Sequence, residues 1–98
     1  MSENEAMLPG ESLVREGLAD LAQGRVTECS LLLLVASPRL RALGIAIAEL
    51  AVERPYEHRL YERIEQRLGD GAHSYYNSLI RTIVSYSRAL ERERSARV

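Results

Sequence analysis

The sequence predicts an all-α fold, a compact bundle of four to five helices, on three observations. Ala, Glu, Leu and Arg make up 51 of the 98 residues, against 11 Val plus Ile; the first set favours helix and the second favours strand. Apolar residues recur every three or four positions in several stretches, which is the repeat of one helix face. Glycines and a Ser-Pro pair separate those stretches. The length is that of one domain, large enough to bury a core without metal or disulfides. Residues 10–94 are assigned to it, with a flexible N-terminal tail at 1–9 and a frayed C-terminal tail at 95–98.

The first helix is expected over Glu11 to Gln23, with Val14, Leu18 and Leu21 on one face and Gly24 as its stop. Thr27 is suited to cap the second helix. Residues 26–36 include the run Leu31-Leu32-Leu33-Leu34-Val35-Ala36, which reads as a buried strand or a buried helix. Leucine favours the helix, and a segment apolar on all sides belongs at the centre of the fold. Ser37-Pro38 reads as a cap followed by proline in the first turn. A third helix is expected from there to about Arg54, which Pro55 pushes out of helical geometry. Its two apolar stripes, Leu40/Leu43/Ile47/Leu50/Ala51 and Ile45/Ala48/Val52, call for two packing partners.

The fourth helix, from Pro55, carries a narrow seam of Leu60, Tyr61, Ile64 and Leu68, and Gly69-Asp70-Gly71 breaks it. The fifth is expected over Ala72 to Glu93, with Tyr76, Leu79, Ile83, Tyr86 and Leu90 as its apolar seam.

The formal net charge of −1 hides an asymmetry. Residues 1–53 hold 4 Arg against 8 acids, and residues 54–98 hold 9 Arg against 6 acids. The chain is therefore dipolar, which disfavours wholesale coating of nucleic acid and leaves a local basic contact open. The acidic start has none of the features of a secretory signal, and Pro38, Arg39 and Arg41 interrupt the apolar stretch from Leu31 to Val52, so no membrane segment is expected. With one cysteine and no internal disulfide, a cytoplasmic location is the expectation.

Few residues carry chemistry. Arg81, Arg88 and Arg92, spaced by 7 and 4, fall on one stripe opposite the apolar seam and suit a partner carboxylate or phosphate. Residues 61–81 resemble a helix-turn-helix in outline. That resemblance would put His73, Ser74, Tyr75, Asn77 and Ser78 at the base-reading end of its second helix. Glu65 and Asp70 depart from the pattern, which wants a small residue and an apolar one there. His58 and Glu62 are read as an i, i+4 ion pair rather than metal ligands, since no further pair completes a site. The spacing of Arg67 and His73 is similar to that of HEPN-type ribonucleases, but the glycine break falls inside it. No cofactor motif and no metal motif occurs, and Cys29 reads as a small buried hydrophobe.

The expected function is that of a non-enzymatic protein-interaction or assembly module. Its apolar excess has two readings: a homodimer, or a contact with another protein, formed through Ile45, Ile47, Val52 and Ile83, and a monomeric bundle with the second and third helices at its middle. The alternative is a small DNA-binding regulator using residues 61–81.

Overall fold

The computed structural model describes residues 8–96. It is all-α, with no strand among the described residues. The order is α1 (Glu11–Ala22), α2 (Glu28–Val35), α3 (Ser37–Ala42), α4 (Tyr56–Leu68), a 3₁₀ turn at Gly69–Gly71, and α5 (Ala72–Ala96). Residues 1–7 and 97–98, and with them most of the two expected tails, lie outside the described residues. Leu8 is half-buried, and its N–H donates to Glu11 Oε1 at 2.9 Å.

The leucine run is helical and central. Leu31, Leu32, Leu33 and Leu34 are each at most 2% exposed, and α2 packs against α1, α3, α4 and α5. A helix can bury every side only when other elements surround it. Around it stand Val14 and Leu21 of α1, Leu40 of α3, Leu60 and Ile64 of α4, and Leu79, Ile83, Tyr86 and Leu90 of α5. Gly17 lets α1 approach α2: a Cβ there would sit 2.8 Å from the Cys29 carbonyl oxygen and from Leu33.

The α1–α2 junction is tied by hydrogen bonds. Thr27 Oγ1 accepts from Ser30 N at 3.0 Å, and Thr27 N donates to Ser30 Oγ at 2.8 Å, a reciprocal cap. The Thr27 hydroxyl in turn donates to Asp20 Oδ2 at 2.6 Å, and Arg25 Nε donates to Asp20 Oδ1 at 3.0 Å. The Thr27 hydrogen bond first, and Arg25 after it, hold the buried Asp20 carboxyl below the usual aspartate range.

The third helix corrects the sequence reading. It ends at Ala42 rather than near Arg54. Gly44 takes φ +93°, and Ile45 N reaches back to Leu40 O at 3.0 Å. From there to Pro55 the chain is irregular. Ile45-Ala46-Ile47-Ala48 alternates inward and outward, as extended chain does, with Ile47 buried and both alanines exposed. The two expected stripes do not exist. Ser37 also differs: Ala36 is the residue before α3, and no side chain caps it. The break at this point comes from Pro38, which lacks the N–H that would bond Leu34 and whose ring would meet that carbonyl.

α4 and α5 pack side by side across the glycine turn, with the Tyr61 and Tyr76 rings edge to face at 5.5 Å. Leu68, expected on the α4 seam, is 38% exposed.

Candidate interaction surface

Six arginines among the described residues are committed to the protein's own structure. Arg15 pairs with Glu11 at 2.6 Å, Arg25 with Asp20 at 3.0 Å and Arg39 with Glu91 at 2.6 Å. Arg59 lies between Glu53 and Glu62, at 3.6 and 3.5 Å. Arg41 Nη2 donates to the Ile47 carbonyl at 2.9 Å, which pins the irregular segment to α3. Arg67 holds both oxygens of Glu28, at 2.8 and 2.9 Å, and its guanidinium lies 5.0 Å from the Tyr75 ring centroid. One side chain thereby joins the start of α2 to the end of α4 and the start of α5. Sequence reading missed that link, because its two ends are 39 residues apart and no local pattern marks them.

Arg81, Arg88 and Arg92 contrast with these. All three are exposed on α5, and among the described residues none has a carboxylate partner. At 100° per residue they lie within about 40° of one another, on the face opposite Ile83 and Leu90, over about 16 Å of helix. Val84, 38% exposed, borders them beside a shallow groove lined by Arg39, Ser87 and Arg88.

The residues assigned to nucleic acid cluster at the start of α5. His73, Ser74, Tyr75 and Ser78 are exposed and Asn77 is half-buried. Part of this set is already engaged: Asn77 Nδ2 lies 3.2 Å from His73 Nε2, and Tyr75 lies against Arg67. Ser74 and Ser78 remain open and continue the arginine stripe by the same helical geometry.

The self-association set is corrected. Ile47 and Ile83 are 7% and 3% exposed and belong to the chain's own core, so they offer no face to a second copy. Ile45 and Val52 are half-buried against that core. Much of the apolar excess of the middle helices is used inside one chain, since α2 is surrounded and Ile47 of the 45–52 segment enters the same core.

The groups suited to catalysis lie apart. His58 is exposed, and Glu62 pairs with Arg59 rather than with His58, contrary to the i, i+4 expectation. Among the described residues no group of three His, Cys, Asp or Glu is placed to hold a metal. Cys29 is half-buried beside a cleft shared with Leu13, Glu16, Arg63 and Tyr75. Burial first, and then Glu16, Asp20 and Glu28, push its thiol up to about 11. At neutral pH it is a thiol and a poor nucleophile.

No family model, curated protein or solved structure matches the chain. Among the described residues no helix is long and apolar enough to cross a membrane.

Proposed function

We propose that this chain is a non-enzymatic assembly module that self-associates in the cytoplasm, the outward stripe of α5 on one copy meeting carboxylates on another. The observation that carries the reading is the disposition of the arginines. Five are in ion pairs within the chain, whereas Arg81, Arg88 and Arg92 share one exposed stripe without acids. The counter-charge is present on the same molecule: Glu16, Glu49, Glu57, Glu65 and Asp70 are exposed and unpaired among the described residues. Stacking the stripe on itself would set like charges together, so contact runs from the basic stripe to acids elsewhere. Such pairing gains strength once water is excluded from the contact.

The test is mass by light scattering across protein concentration and salt. At about 50 mM salt the wild type forms a dimer or larger species that returns to monomer toward about 1 M, where screening is nearly complete. The variant R81E/R88E/R92E stays monomeric at both salts, with its helical circular dichroism intact. Wild-type protein that is monomeric in low salt at about 100 μM, a weak-association limit, refutes the reading.

Duplex DNA as the anion is the second reading, favoured by the exposed Ser74 and Ser78 that extend the stripe to the N-terminal end of α5. It ranks second because Arg67, Tyr75 and Asn77 are engaged internally and the exposed Glu65 and Asp70 would repel phosphate. Retention of duplex DNA at about 50 mM salt, with steep release as salt rises, would promote it.

A further inference from the structure

Away from the α5 stripe, the bend between α2 and α3 faces the start of α4. A cleft of about 360 Å³ opens there, lined by Leu34, Val35, Ser37, Arg41, Arg54 and Tyr56. That volume falls in the range of small-ligand sites. The lining combines apolar surface from Leu34, Val35 and Tyr56 with two exposed guanidinium groups. Arg41 spends one donor on the Ile47 carbonyl. Arg54 lies over the Tyr56 ring, 5.5 Å from its centroid, with Nε 3.4 Å from the phenol oxygen. Both keep further N–H donors, since a guanidinium carries five.

The independent pointer is Ser37. It is 6% exposed, and its hydroxyl makes no hydrogen bond among the described residues. The buried side-chain atom without a partner among the described residues is Arg59 Nε and not the Ser37 oxygen, so the Ser37 hydroxyl opens on the cleft as a free donor and acceptor. Every other buried serine is satisfied: Ser30 by Thr27, and Ser87 by the Val84 carbonyl. α4 also starts at this cleft with no capping side chain at Pro55; His58 N and Arg59 N donate to the Pro55 carbonyl, which leaves the Tyr56 and Glu57 amides without a partner among the described residues. One acid, Glu57, is part of the lining, which leaves the two arginines in excess.

We propose that this cleft binds a small organic anion, a carboxylate or phosphate on a short apolar body. The anionic head would take Ser37, Arg54 and Arg41, and the apolar body would lie on Leu34, Val35 and Tyr56. This site is separate from the α5 stripe and does not depend on the assembly reading.

The test is an amide NMR titration of the full chain with benzoate, phenyl phosphate and the neutral benzyl alcohol. Benzoate or phenyl phosphate shifts the amides of Ser37, Tyr56 and Glu57 saturably, with Kd on the order of 1 mM for probes this small. Whichever of the two binds more tightly identifies the head group. Arg54→Gln weakens binding about tenfold, the loss expected for a charge-assisted hydrogen bond, and Ser37→Ala weakens it several-fold. Arg63→Gln, exposed on α4 and outside the cleft, leaves binding unchanged. Arg54 is exposed, so its variant carries the test even if the buried Ser37→Ala fails to fold. Equal shifts with benzyl alcohol, shifts centred on residues 81–92, or no saturation by about 20 mM, well above that Kd, each overturn the proposal.

Discussion

α1 and α3 end in the same hydrogen-bonded turn and lead to opposite outcomes. At the first end Gly24, with φ +72°, donates to Leu21 O at 3.0 Å, and Arg25 N reaches Asp20 O at 2.8 Å. At the second, Gly44 donates to Arg41 O and Ile45 N to Leu40 O, both at 3.0 Å. Each pair of bonds closes a helix around a left-handed glycine. After Gly24 the chain starts a new helix within four residues and sinks into the core. After Gly44 it makes no helix until Tyr56. The terminator is common to both, so the residues beyond each glycine decide the outcome. Thr27 supplies a cap that restarts a helix, whereas Ile45-Ala46-Ile47-Ala48 supplies alternating apolar residues that lie down on the core as extended chain.

The largest expected contrast lies in the core on either side of these ends. Leu32→Ala in α2 removes a side chain with no exposed surface and should cost about 2–5 kcal/mol, the range for a buried leucine whose cavity cannot collapse. Ile47→Ala, in the irregular segment, should fall at or below the bottom of that range, because chain outside a helix, though tied at the Ile47 carbonyl by Arg41, relaxes into the space more readily than α2 does. Urea denaturation of both variants checks this. Equal losses would mean that the 45–55 segment is as rigid as α2.

Next come the two glycines. Gly24→Ala and Gly44→Ala should each cost about 1–2 kcal/mol, the penalty of a Cβ in left-handed geometry. The Gly44 variant should lose somewhat more, since its Cβ would meet the Arg94 guanidinium at 2.8 Å and that of Gly24 meets nothing within 4 Å. A neutral Gly44→Ala would show that α3 does not end there.

Thr27→Ala should cost about 1 kcal/mol, the usual worth of a helix cap, and it should also change the pH profile. Asp20 titrates below the ordinary 3.8 in the folded state. It therefore contributes stability above that value, and the contribution is lost as pH falls through its lower, folded value. Removing the Thr27 hydroxyl returns the Asp20 pKa toward 3.8, so the acid slope of the variant flattens between about pH 4 and pH 2. Unfolding midpoints measured across that window test the coupling, and unchanged slopes would sever Asp20 from the cap.

The parts of this fold that local chemistry encodes are legible in the sequence. Thr27, Gly24 and the Leu31–Leu34 run place α2 and its burial, and the seam of Leu79, Ile83, Tyr86 and Leu90 places the inner face of α5. The arginine stripe is legible too, because a fixed helical repeat fixes which residues share a face. Distant contacts are not legible. That Arg67 belongs to Glu28 and Arg39 to Glu91, while the α5 stripe keeps no acid among the described residues, is settled across 39 and 52 residues of chain. Ile47 and Ile83 suggest a face for a second copy only because periodicity marks an apolar side chain without saying which chain covers it. The segment after Gly44 imitates a helix because leucine and alanine fit either state, and its apparent stripe masks the alternation from Ile45 to Ala48.

The smallest expected effect separates these two readings of the segment most sharply. Ala48 is exposed, and its N–H makes no backbone hydrogen bond among the described residues. Within a helix running to Arg54, Ala48→Pro would delete a hydrogen bond, clash with residue 44 and cost about 3 kcal/mol or more. In the irregular chain the proline removes no bond, and the extended geometry it favours for the residue before it suits Ile47. It also narrows the unfolded ensemble, which offsets part of any residual strain. The expected change is under about 1 kcal/mol in either direction, read as a near-constant urea midpoint with unchanged far-ultraviolet circular dichroism. A loss near 3 kcal/mol accompanied by lost helical signal would extend α3 through the segment and remove the difference between the two helix ends.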